Sequence, residues 1–178
     1  NAAIAAAAGG GTVIVPPGRY LCFSIRLKSK VTLQLAQGAI IEAADPARHS
    51  GSYDLPESGV EQLYQDFGHS HWHNSLLWGD DVTEVAITGP GLIDGAGLTR
   101  NGPGARWKAQ TGERPLSMQG MSQRQIDQLE PATAAMNGQG NKAIALKNGR
   151  DIVLSGFTMR QCGHFAILAT GTRKLAIR

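Results

Sequence analysis

Charge is scarce in this chain. Only 17% of its 178 residues are Asp, Glu, Lys or Arg, and 17 basic against 14 acidic residues leave a formal net charge of +3. So mild a balance gives no footprint for nucleic acid, while it is compatible with an anionic partner. Cysteine is nearly absent: Cys22 and Cys162 are the only two. That excludes a disulfide scaffold and favours two buried free thiols over one long-range bridge. Long apolar runs are missing as well, none approaching the ~20 residues of a bilayer-crossing helix. The 42% hydrophobic content is nonetheless too high for a disordered chain. No initiator Met and no leader peptide open the sequence, and Leu175–Arg178 alternates like a strand with no turn after it. Both ends therefore read as cut, within a single domain over residues 1–178.

What the chain has in quantity is punctuation, with 23 Gly and 8 Pro. Between these lie strand-like runs of three to five residues: Thr12–Val15, Ile25–Leu27, Val31–Leu35, Ala39–Ala43, Ser75–Trp78, Val85–Thr88, Leu92–Asp94, Ala143–Lys147, Ile152–Ser155, Phe157–Met159, Phe165–Ala169 and Leu175–Ile177. They are too many and too short for a doubly wound α/β sheet, which leaves a sandwich, a barrel or a solenoid.

An internal repeat selects the solenoid. The segment Ala143–Leu154 lies over Ala166–Ile177 at an offset of 23 residues, with strand, polar turn and second strand coinciding. Ser75–Ile87 follows the same plan with one extra residue, and Ile25–Leu33 is a shorter copy. One such unit cannot bury its apolar positions, but stacked units share a continuous core. The expectation is an all-β, right-handed parallel β-helix in which Ile144 lies beside Ile167 and Ile152 beside Leu175. The Ala-rich run Asn1–Ala8, stopped by Gly9-Gly10-Gly11, reads as a helix covering the first rung.

Two segments break the rhythm, 45–74 and 96–140. The second contains a short helix signal, with Ser122-Gln123-Arg124-Gln125 at capping-box spacing and Ile126 and Leu129 following at helical interval. Loops this long are uncommon in compact domains without function, so both read as rung-corner insertions that wall a groove.

The segments Ala5–Tyr20, Ile87–Gly95, Gly68–Gly79, Gly140–Lys147 and Gly163–Gly171 carry a family resemblance. The first is similar to the opening of the pectin-lyase-like β-helix superfamily. The others resemble glycoside hydrolase family 28, the polygalacturonases and rhamnogalacturonan hydrolases, and the chain resembles the N-terminal half of such an enzyme. The resemblance implies hydrolysis, with inversion, of α-linked bonds in galacturonate-containing pectic polysaccharide. It implies no cofactor, no nucleic-acid or membrane partner, a monomer, and a secreted or periplasmic location. Inversion needs two carboxyl groups about 6.5–9.5 Å apart. The family's Asn-Thr-Asp-like and Asp-Asp motifs are not present at the matching place, so its acids are expected beyond Arg178 and the chain alone is expected to be inactive. A calcium-dependent lyase and a non-catalytic carbohydrate-binding β-helix on the same scaffold stay open, the former lacking a visible acidic cluster.

Candidate residues divide accordingly. Asp80-Asp81 is adjacent like the family pair, yet it sits between Trp78 and Val85, where turn formation and solvation are the simpler reading. Asp94 and Asp151 likewise read as turn residues. His69, His71 and His73 alternate, so on a strand they would share a face; a metal is one use of such a row, but groove lining and packing are preferred and no metal is expected. His164, Trp72, His73 and Arg100 are the candidate substrate-binding residues. Arg100, Arg106, Lys108 and Arg114 offer partners for uronate carboxylates, and Trp72 and Trp107 faces for a sugar ring, with solvation and packing as alternatives.

Overall fold

A computed structural model describes residues 1–57, 71–100, 120, 122, 124 and 138–178. Among these residues lie the helix α1 (Ala2–Ala7) and thirteen strands: β1 (Gly11–Val15), β2 (Gly18–Cys22), β3 (Ile25–Arg26), β4 (Val31–Leu35), β5 (Ala39–Ala43), β6 (Ser75–Asp80), β7 (Thr83–Thr88), β8 (Leu92–Asp94), β9 (Lys142–Lys147), β10 (Arg150–Ser155), β11 (Thr158–Arg160), β12 (Phe165–Thr170) and β13 (Arg173–Ile177). No helix among the described residues is long and apolar enough to cross a membrane.

Every third strand returns to the same sheet. Sheet A is ordered β1-β4-β7-β10-β13, sheet B β2-β5-β8-β11 and sheet C β3-β6-β9-β12. All pairings between them are parallel, which makes the chain a three-sided parallel β-helix. The 23-residue repeat is in register as expected: Ile144 pairs with Ile167 and Ile152 with Leu175.

The register explains the core. Because side chains alternate across a strand, in-register stacking places like residues over one another inside the coil. Sheet A contributes the ladder Val13, Leu33, Ile87, Leu154 and Ile177. Sheet C contributes Ile25, Leu77, Ile144 and Ile167. Leu77, Ile87, Ile144, Ile152 and Leu154 are essentially solvent-free, each burial stabilising by about 1.5–3 kcal/mol. Helix α1 packs on β1 and β4 and buries Ile4, so it lies across the first rung.

The corners are as regular as the strands. Between sheets C and A, Asp81, Asn148 and Gly171 occupy the left-handed region, and so do Glu84, Asp151 and Lys174. Both sets recur at the spacing of the strand register, so one turn conformation is stacked rung upon rung. Asp, Asn and Gly tolerate it best, which is why Asp81 and Asp151 stand there. At the corner from sheet A to sheet B, Gly89 has φ +97°, and a Cβ would lie 2.2 Å from the Leu35 carbonyl oxygen. The Ile87–Gly95 motif is thus a requirement of close rung stacking.

Both excursions leave from one corner, the step from sheet B to sheet C: 44–74 joins β5 to β6, and 95–141 joins β8 to β9. The expected helix around Ser122–Leu129 lies mostly outside the described residues, as do His69, Arg106, Trp107, Lys108 and Arg114. Strand β2 has no counterpart in the sequence reading. Four of its five residues are exposed, so it shows no alternation, and its pairing with β5 holds it in the coil.

Candidate functional site on the outer face of sheet C

On sheet C, Leu77 and Ile144 point inward, so Arg26, Leu76, Trp78, Asp80, Ala143, Ala145, Lys147 and Thr170 take the outer face. Leu76, Ala143 and Ala145 are nevertheless fully buried, because the first excursion folds back over them. It is pinned at one end by Tyr53, buried edge-to-face against Phe23 at 5.2 Å, with its hydroxyl donating to the Ala44 carbonyl at 2.8 Å. Burial pushes the Tyr53 phenol well up, so it stays protonated.

Asp54, next in sequence, reaches the outer face. Its carboxylate accepts from Arg26 Nε at 2.8 Å, Arg26 Nη2 at 2.6 Å and Trp78 Nε1 at 2.8 Å. The Arg26 hydrogen bonds, opposed by burial and aided by Trp78, hold the Asp54 carboxyl below the usual range. A carboxylate with a depressed folded pKa stabilises above its unfolded pKa, about 3.9, and loses that contribution as pH falls through the folded value. Because the Arg26 side chain is 55% exposed, the pair contributes no more than about 1 kcal/mol. Asp54→Asn is expected to lower urea-unfolding stability by up to that much near neutral pH. The difference from wild type should shrink as pH falls below the ordinary carboxylate range and through the depressed folded value, where Asp54 too becomes neutral.

Beyond Asp54 lies a polar cluster. Glu57 accepts from the Trp72 backbone N–H at 2.9 Å and faces two imidazoles, with His73 Nε2 at 3.5 Å and His71 Nδ1 at 3.9 Å. His73 stacks on Trp78, ring centroids 3.9 Å apart, and its Nε2 stands 3.7 Å from Asp80 Oδ2. Asp80 also pairs with Lys147 at 3.5 Å. The Lys147 ammonium sits 4.7 Å above the Trp72 ring, whose Nε1 donates to Thr170 Oγ1 at 3.2 Å.

Of the candidate substrate residues, Trp72 and His73 meet here around Glu57. Arg100 lies elsewhere, on a hollow of about 360 Å³ walled by Leu98, Gln161, Cys162 and Gly163. His164 follows that wall at the same corner, its N–H donating to the Asn141 carbonyl at 2.8 Å and its ring edge-on to Phe165. Residues 71–74 form no strand, but His71 and His73 still face one carboxylate.

Among the carboxylates, Asp94 fixes its turn through Ala96 N–H at 3.3 Å and receives Arg160 at 2.6 Å. Asp151, read from the sequence as a turn residue, stands second in β10 and pairs with Lys174 of β13 at 3.2 Å. Asp80 departs from the sequence reading: it ends β6, only 24% exposed, on the outer face of sheet C, while Asp81 alone takes the turn. Cys22 and Cys162 are free thiols, both pushed up chiefly by burial.

No protein-family model matches the chain, and no curated protein matches it. Solved structures do. A family 28 exopolygalacturonase from Yersinia enterocolitica superposes with a TM-score of 0.51 at 22% identity, covering 97% of this chain and 35% of its own. A hyperthermoactive exopolygalacturonase from Thermotoga maritima gives 0.53 at 24%, covering 96% and 38%. A Parabacteroides merdae protein, itself only proposed to be a glycosyl hydrolase, gives 0.51 at 19%, covering 98% and 69%.

The fold is that of the family 28 exopolygalacturonases.

The chain spans little more than a third of those two enzymes. Within this fold, sequence reasoning missed Asp54, Glu57, Trp78 and Lys147. Asp80 and Lys147 were recoverable, because aligning the repeats puts them on neighbouring strands at one register position. Asp54 and Glu57 were not, since no periodicity governs the excursion that carries them.

Proposed function

We propose that the protein to which this coil belongs hydrolyses α-glycosidic bonds in galacturonate-containing pectic polysaccharide, by an inverting two-carboxylate mechanism. The observation that carries the reading is the outer face of sheet C: aromatic and cationic groups gathered toward the end of its strands that turns into sheet A, in a coil shaped like exopolygalacturonases. Trp78 offers a ring face to a sugar, and Lys147, resting on the buried Trp72 ring, and Arg26 offer charge to uronate carboxylates. Arg100 and His164, at the opposite end of these strands, would extend the wall along the corner from sheet B. A polymer of this size is met outside the cytoplasm, so a secreted or periplasmic monomer fits the reading.

The reaction's acids would come from further rungs. Each rung adds one strand to sheet C, so later strands would lie beyond β12 on the same face. The Glu57 and Asp80 oxygens are within 4.8 Å of one another and share His73, which is closer than the about 6.5–9.5 Å of an inverting pair. The test compares the 178-residue chain with one extended by further rungs, following reducing ends released from polygalacturonate. Activity is expected only in the longer chain. Activity in the shorter chain that is lost in Asp80→Asn/Asp81→Asn would overturn the reading and move the catalytic centre to that strand end. An unsaturated product would indicate a lyase instead, and saturable binding without cleavage by the longer chain a carbohydrate-binding module.

A further inference from the structure

We propose that Glu57, His73 and Asp80 form a three-donor site for a first-row divalent transition cation of the zinc type. One ligand atom from each lies within 4.8 Å of the others. His73 Nε2 stands 3.5 Å from Glu57 Oε1 and 3.7 Å from Asp80 Oδ2. Both distances are too long for hydrogen bonds. They are close to the separation of two donors sharing one ion, since metal bonds of about 2.0–2.2 Å at tetrahedral angles put ligands roughly 3.4 Å apart.

A second observation points the same way. His73 Nε2, which faces both carboxylates, is shielded from solvent and makes no hydrogen bond, and Asp80 Oδ1 makes none either, while the Oδ2 that faces His73 is shared with Lys147. Burying polar atoms without partners is costly, and an ion between these groups would remove that cost. The donors are also held from behind, as metal ligands commonly are. The Trp72 N–H fixes the Glu57 carboxylate, Trp78 stacks on the His73 ring, and Asp54 anchors Trp78.

The donor set narrows the ion. One imidazole with two carboxylates suits zinc, cobalt or manganese better than the all-oxygen shells of calcium and magnesium. Two carboxylates would balance a dication. Lys147, 3.5 Å from Asp80 Oδ2, supplies positive charge there and already rests over the Trp72 ring. An incoming ion would compete with it for Asp80. With His73 28% and Asp80 24% exposed, a fourth position opens outward to water or an anionic oxygen. Of the described members of the row, His73 supplies the donor here. The inference is independent of the glycosidase reading.

The test is titration of the 178-residue chain with Co²⁺, followed by visible absorption, and with Zn²⁺ by calorimetry and Co²⁺ displacement. The expected result is one saturable equivalent. His73→Ala and Asp80→Asn should weaken it more than about tenfold, the lower range for loss of even a supporting group. Lys147→Met should tighten it by about fivefold by removing a like charge. Far-UV circular dichroism checks folding, and Asp80→Asn decides alone if His73→Ala does not fold. No cobalt absorption, affinity unchanged by Asp80→Asn, or unchanged or weaker binding in Lys147→Met would each overturn the assignment.

Discussion

Replacing Asn141 by Ala is expected to destabilise the coil by about 3 kcal/mol, measured by urea unfolding at neutral pH. Asn141 stacks on Asn74 at the corner from sheet B to sheet C. The Asn141 N–H donates to the Asn74 carbonyl at 3.1 Å, and Asn74 Nδ2 donates to Asn141 Oδ1 at 3.2 Å. The Lys142 ammonium, fully buried, donates to Asn141 Oδ1 and to Asn74 Oδ1. Truncating Asn141 removes an acceptor from a charge that water does not reach, and that desolvation dominates the cost. Lys142→Met removes the charge itself and fills similar space but leaves Asn74 Oδ1 without its donor, so it should itself cost about 1–3 kcal/mol. Most of the Asn141→Ala penalty should therefore be absent in the Lys142→Met background. An equal penalty in both backgrounds would show that the asparagine acts through stacking alone.

This corner also shows what the sequence makes legible. Strand positions follow from short aliphatic runs between turn residues, and the fixed 23-residue offset implies the observed register of Ile144 on Ile167. Nothing in that periodicity reveals β2, because Arg19-Tyr20-Leu21 is exposed and its pairing partner, not its pattern, makes it a strand. Lys142 looks like an ordinary polar strand residue, and only the neighbouring rung shows that it is buried. The site divides in the same way. Trp72 and His73 were visible as an aromatic and an imidazole in a conspicuous run. Asp54 and Glu57 depend on how residues 45–57 fold back on sheet C, a tertiary placement that no local spacing encodes. Asp80 was misplaced because an Asp-Asp pair before Val reads as a turn, whereas the turn here begins one residue later, at Asp81.

Trp78→Ala should have the largest effect on function, lowering kcat/KM on polygalacturonate by about tenfold to a hundredfold in a chain carrying further rungs. Trp78 is half-buried on the outer face of sheet C, with one ring face against His73 and its Nε1 on Asp54. Its removal would take away an apolar face for a sugar ring and release both the His73 ring and the Asp54 carboxylate. Trp78→Phe separates these roles, since it keeps an aromatic face and the His73 stack but loses the Asp54 hydrogen bond. It should retain most of the substrate affinity lost in the Ala variant. The control lies on another side of the coil. Thr158 is exposed on sheet B, and Thr158→Ala should leave both stability and kcat/KM unchanged. If Trp78→Ala were silent while substitutions on the outer face of sheet B impaired activity, the groove would run along sheet B. Trp78, His73 and Lys147 would then serve only to hold the first excursion in place. A loss confined to Trp78→Ala, with the cooperative unfolding transition intact, would place sugar binding on the outer face of sheet C.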